Sequence, residues 1–121
     1  MKSRSRKNKG VRLQNWTRDL LLSLADHLEP DDISTAIMGE SGEDIKFSPS
    51  ARVSFPFSIE CKNVERIDVW GSYAQAKSNA GKYEPVLVFK KNGQNPKVMV
   101  DARYFFNLVT RVSCEETVLD N

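Results

Sequence analysis

The chain has 121 residues, with 18 Lys+Arg, 16 Asp+Glu and one His for a formal net charge of +2, and 40% of its residues are hydrophobic and 28% charged. That length and balance describe one domain able to bury a core without disulfide or metal staples, and they exclude a disordered chain. No apolar run approaches the roughly 20 residues that span a bilayer and no apolar segment follows the basic start, so neither a membrane partner nor a secretory signal is expected; the two cysteines, Cys61 and Cys114, fit a reducing cytoplasm rather than a disulfide framework.

Residues 1–12 hold Lys2, Arg4, Arg6, Lys7, Lys9 and Arg12 and no acid. A basic stretch beside a mildly acidic body suits a polyanion. If all six cations met DNA phosphates, log K would fall against log salt with a slope of roughly −5. The chain divides into a basic flexible arm at 1–10, a folded domain at 11–112 and a C-terminal tail at 113–121. From Val11 onward Val11, Leu13, Trp16, Leu20, Leu21, Leu24 and Leu28 recur at three and four, which predicts an amphipathic helix ending before Pro30. Residues 30–43 are turn-rich. Asp44–Phe47 reads as a short strand and Ser48-Pro49-Ser50 as a turn. Phe55–Lys62 reads as a strand with Phe57, Ile59 and Cys61 on one face and Ser58, Glu60 and Lys62 on the other, Pro56 lying at its start or on an edge.

A second helix is predicted from Arg66 to Ala80, with Gly81 just past its end. Pro85–Lys90 is a continuous apolar run of strand length and is expected to be central. Asn92-Gly93 makes a turn, Lys97–Val100 another strand, and Asp101 caps a last helix carrying Tyr104, Phe105, Leu108 and Val109. The order α-β-β-α-β-β-α predicts an α/β fold, a small mixed β-sheet flanked by helices.

The chemistry concentrates at Asp44 and Glu60-Cys61-Lys62. Alternation places Glu60 and Lys62 on one face of a strand, roughly 6.6 Å apart in rise, behind an apolar face. Glu and Lys are rarely buried without partners. Two carboxylates and a backbone carbonyl, that of Cys61, suit a hard, oxygen-preferring ion such as Mg²⁺. Such an ion lowers the pKa of a bound water and stabilises charge on a transferring phosphoryl group, while a lysine orients or activates the water or neutralises charge. An E-x-K tripeptide is also what a plain surface Glu–Lys pair looks like. Its context here is an Asp 16 residues upstream that opens a strand, an apolar strand around the tripeptide, and a helix next.

Asp44 … Glu60-Cys61-Lys62 resembles the PD-(D/E)XK nuclease signature. The longer strings Gly39-Glu40-Ser41-Gly42-Glu43-Asp44-Ile45 and Phe55-Pro56-Phe57-Ser58-Ile59-Glu60-Cys61-Lys62-Asn63 are similar to the small phage-encoded relatives of the archaeal Holliday junction resolvases. So are Trp70 … Gln75-Ala76 … Asn79-Ala80 and Glu84-Pro85-Val86-Leu87-Val88-Phe89-Lys90, and the resemblance covers about residues 9–110. It implies a restriction-endonuclease-like core and a Mg²⁺-dependent endonuclease, Mn²⁺ substituting, that cuts four-way DNA junctions in recombination and repair without a small-molecule cofactor. Asp44 and Glu60 would be metal carboxylates, Lys62 the catalytic lysine, Gln75 a glutamine near the site, and Ser41 a serine near the scissile phosphate. Products would carry a 5′-phosphate and a 3′-hydroxyl. Symmetric cutting needs two active sites, hence a C2 homodimer, whose basic arms contact phosphates without reading bases.

Two positions depart from the pattern. Glu43 precedes Asp44 where the signature has proline, and Gln14 stands where the first helix of the resolvases often supplies a glutamate, leaving Glu40 or Asp19 as substitutes. Fold alone does not fix function. A nicking or flap nuclease without junction preference, and a DNA-binding relative that does not cut, therefore remain open readings. Elsewhere, His27 is expected on the surface, and Cys61 as a small buried hydrophobe facing away from Glu60 and Lys62. Trp16 and Trp70 are expected in the core or an interface. Tyr73 and Arg52 fit either DNA contact or solvent, and Lys90, Lys91 and Lys97 either a basic patch or a solvated turn.

Overall fold

The basic stretch and the apolar repeat form one helix, α1 (Lys2–Leu24). No proline interrupts residues 1–10, and Lys and Arg are good helix formers, so the stretch expected as a flexible arm is drawn into α1. The computed structural model describes the backbone of residues 2–37 and 39–120 and the side chains of 5–37 and 39–111; the side chains of Lys2, Arg4 and Cys114 lie outside the described residues. α1 stops short of the expected limit. Ala25 and Leu28 leave it through tight turns and still reach the core, with the Ala25 amide donating to the Leu22 carbonyl at 3.3 Å and the Leu28 amide to the Ala25 carbonyl at 3.0 Å.

A short 3₁₀ turn at Pro30–Asp32 leads into β1 (Ile33–Thr35), which pairs antiparallel with β2 (Ile45–Phe47). β1 adds a strand that the turn-rich reading of 30–43 does not name: Ile33 is fully buried and lies in a three-residue strand among turn formers. Ser48-Pro49 does not merely turn the chain but opens α2 (Pro49–Ser54). The Ser48 hydroxyl accepts the Ala51 amide at 3.1 Å and Pro49 occupies the first turn, where its missing N–H costs nothing.

β3 (Phe57–Asn63) and β4 (Glu84–Lys90) run parallel, joined by α3 (Val69–Asn79), and β5 (Lys97–Met99) returns antiparallel to β4. β4 is the middle strand of this sheet, as its unbroken apolar run predicts. α3 starts later than predicted because Asp68 caps it, its carboxylate accepting the Gly71 amide at 3.0 Å. Gly81 follows the helix at φ +58°, the left-handed turn that glycine takes most easily. Asp101 likewise caps α4 (Ala102–Asp120), accepting the Tyr104 amide at 3.0 Å.

The three-stranded sheet lies between α1 and α3. Ile59, Cys61, Val86 and Val88 pack towards α1 around Leu13, with Ile33, Ile45 and Ala51 completing the core. The opposite face holds Ser58, Glu60 and Leu87 beneath Ala76 of α3 and Ala80, which caps that helix. Glu60 is buried because that face is covered as well. No described helix is long and apolar enough to cross a membrane.

Candidate active site

β3 is an edge strand, and Asp44 sits on its open edge. The Asp44 amide donates to the Ile59 carbonyl at 3.0 Å, and one Asp44 carboxylate oxygen accepts the Cys61 amide at 2.8 Å. These two bonds occupy backbone groups that a neighbouring strand would use. They set Asp44 beside Glu60. In a strand the N–H and C=O of one residue point to the same side. The Cys61 carbonyl therefore also faces the edge that Asp44 holds, where it can join the two carboxylates around a cation.

Glu60 is 4% exposed. Its Oε1 lies 3.9 Å from Lys62 Nζ, an ion pair longer than a hydrogen bond, and its Oε2 is buried with no partner among the described residues. Burial first, then the neighbouring Asp44 charge, pushes the Glu60 carboxyl up to about 7 against the pull of Lys62. Burial likewise raises Asp44, offset in part by the Cys61 amide, Lys62, Lys46 and Gln14. Two desolvated carboxylates that repel each other, one with an oxygen unpartnered among the described residues, are donors of the kind a hard cation takes. The residues present thus fit Mg²⁺, with a sparse protein ligand set that leaves several positions to water. No group of three or more His, Cys, Asp or Glu able to hold a metal occurs among the described residues.

The loop before Asp44 is braced from behind. Glu43, the residue that replaces proline in the pattern, pairs with Arg52 of α2. Arg52 also donates to the Phe57 carbonyl and stacks over Phe47 and Tyr83, at 4.9 and 4.0 Å from the ring centroids. Its guanidinium is spent inside the protein, which removes it from the DNA contacts considered for it. Gly42 turns the loop at φ +96°, and its carbonyl accepts from Asn79 Nδ2 at 3.4 Å.

In front of Asp44 lies a cleft of about 190 Å³, lined by Lys7, Gly10, Gln14 and Glu40 among others. Lys7, Gly10 and Gln14 recur at three and four, so one stripe of α1 carries the basic stretch to the acidic edge. Glu40 is bound to Lys46 at 3.0 Å and accepts the Ile37 amide at 2.9 Å. Asp19, the other substitute considered, is paired with Arg18 at 3.1 Å instead. Ser41 lies exposed in the loop, and Arg12 is exposed on α1. Gln75 is exposed on α3 and makes no hydrogen bond to Asp44, Glu60 or Lys62.

Cys61 turns its thiol towards α1, within 3.8 Å of the Thr17 hydroxyl, and burial pushes it up to about 12. His27 is at the surface, 3.1 Å from the Ser54 hydroxyl. Trp70 is 76% exposed, outside the core. The braces Arg52 and Asn79 escape a reading of the sequence because each meets its partner only through tertiary folding; the one available signal is Ser48-Pro49, a cap and first-turn proline that announce α2. Neither a protein-family model, nor a curated protein, nor a solved structure matches the chain.

Proposed function

We propose that the chain is a Mg²⁺-dependent, structure-specific DNA endonuclease acting on four-way junctions. The observation that carries this reading is the Asp44 carboxylate hydrogen-bonded to the open edge of β3 beside buried Glu60, whose Oε2 has no partner among the described residues and whose Oε1 lies 3.9 Å from Lys62 Nζ. Asp44, Glu60 and the Cys61 carbonyl would hold Mg²⁺, which supplies an activated water and charge stabilisation at the phosphoryl oxygens. Lys62 is half-exposed, so its ammonium can face a bound strand. There it orients the attacking water or offsets the charge that builds on the phosphate. Lys7 in the cleft in front of Asp44 supports an incoming phosphate on the same side. The products carry a 5′-phosphate and a 3′-hydroxyl.

Junction cutting calls for two sites, and so for a second copy of the chain. An apolar groove of about 510 Å³ supports that partner; Trp16, Leu20, Val98, Phe105 and Leu108 line it and are exposed. The deciding experiment incubates the chain with Mg²⁺ and a mobile four-way junction, a flap and plain duplex, beside Asp44→Asn and Lys62→Ala. The native chain should place paired symmetric nicks in the junction alone, and both variants should bind it without cutting. Cutting by either variant refutes the site. Equal cutting of the flap would instead favour a nuclease without junction preference. A second reading, a DNA-binding protein that does not cut, draws on Gln14, a neutral amide in the cleft with Asp44. Binding that never leads to cleavage, with or without Mg²⁺, favours it.

A further inference from the structure

α1 carries a second basic face. Arg6 and Lys9, three residues apart and so neighbours on the helix, line a pocket of about 430 Å³ together with Asn63, Val64, Glu65 and Arg66 at the carboxyl end of β3. It is separate from the cleft at Asp44, which Lys7 and Gln14 line. Its three cations come from two parts of the chain, α1 and the loop after β3. None of them forms an ion pair among the described residues. The one acid is engaged elsewhere: Glu65 Oε2 accepts the Asn92 amide at 2.7 Å.

Asn63 ties the two parts together. It is 7% exposed, and its Nδ2 donates to the Lys9 carbonyl at 3.0 Å, fixing α1 against the end of β3 and fixing the orientation of the amide. Asn63 Oδ1 is left buried with no donor among the described residues. The pocket is cationic at its rim through Arg6, Lys9 and Arg66, and two of these groups are guanidinium forks, which match phosphate oxygens bidentately.

We propose that this pocket is a phosphate subsite, taking a phosphodiester group of the bound DNA strand other than the one at Asp44 and Glu60. The inference rests on the nuclease reading and deepens it. Asn63 lies three residues beyond Glu60 on β3, about 10 Å along the strand. A single nucleic-acid strand can therefore reach both places within a few nucleotides. Held there, the strand has its register set, and with it the bond that arrives at the acids.

The test is binding of a fluorescently labelled four-way junction in EDTA, where nothing is cut, across a range of salt. Arg66 is exposed, so its removal spares the core. Arg6→Ala/Arg66→Ala should make the slope of log K against log salt shallower by about 0.9 for each chain that holds the junction, the loss of one phosphate contact, and Arg66→Ala should give part of that change. Lys77→Ala, which removes an exposed lysine of α3, should leave the slope unchanged. With Mg²⁺, the double variant should spread its cuts over neighbouring bonds. A double variant with the native slope, or a Lys77→Ala change as large as that of Arg66→Ala, overturns the subsite. If the native chain still cuts, the nuclease reading stands. A native chain that neither binds nor cuts DNA overturns that reading and the subsite with it.

Discussion

A carboxylate held out of water with one oxygen unpartnered binds its proton more tightly in the folded chain than in the unfolded one. For Glu60 the shift runs from 4.5 to about 7. The sign follows directly. Between these values the folded state carries more protons than the unfolded state, so stability falls as pH rises. The contribution is complete below the unfolded value and is lost as pH passes through about 7, on the order of 3 kcal/mol in all. Asp44, also raised by burial, acts in the same direction. The metal-free chain should accordingly show a lower urea midpoint at pH 8 than at pH 5, and Glu60→Gln should flatten most of that difference. Added Mg²⁺ should recover stability at pH 8 in the native chain and not in the variant. Parallel pH profiles for the two chains would mean that Glu60 is ionised at no cost and that the carboxylate pair does not exist as described. That Glu60 and Lys62 share one face of β3 is legible in the sequence from the apolar alternation around them. The depth at which Glu60 is buried is not, because it depends on α3 covering the second face of β3.

Among the elements, α2 braces the loop that precedes Asp44. Arg52 reaches from it to Glu43, to the Phe57 carbonyl and to two aromatic rings, and so ties the loop before Asp44 to the strand that carries Glu60. Both members of the pair are mostly buried, with side chains 16% and 17% exposed. Removing one leaves an uncompensated charge. Arg52→Ala should therefore cost roughly 2–4 kcal/mol in chemical denaturation. Arg52→Lys should recover little of it, because an ammonium cannot stack and fork at once. If the chain is the nuclease proposed above, cutting should slow in both variants while DNA binding persists, since the displaced group is the acid and not a phosphate contact. Full activity in Arg52→Ala would show that the loop holds Asp44 without this brace. The body of α1 from Val11 onward is readable from its periodicity and β4 from its unbroken apolar run. β1 and α2 are not, since three and six residues are too few to establish a period. Only Ile33, isolated among turn formers, and the Ser48-Pro49 start hint at them.

At the scale of the whole molecule, the sheet is covered unevenly. α1 packs over β3, while the same face of β4 and β5 opens into the groove beside α4. Val98 is 60% exposed, and Trp16 and Phe105 are each 46% exposed. Singly exposed apolar residues need no account, but a contiguous set lining one groove does. The second copy of the chain proposed above would cover it, since the groove and the apolar side of α4 next to it are presented together, as a self-complementary surface requires. Sedimentation of the native chain at micromolar concentration should give a dimer. Val98→Asp/Phe105→Glu places two charges in the groove without entering the buried core, so the variant should retain its helical circular dichroism and sediment as a monomer. On the nuclease reading proposed above, its DNA chemistry should change in kind. With one active site per particle, paired nicks at a junction give way to single, uncoordinated ones, and the salt slope of binding falls by about half as the second set of cations is lost. A native chain that stays monomeric and still nicks a junction in symmetric pairs would separate the apolar groove from the cutting reaction. It would also leave two-strand cleavage to successive encounters by one chain.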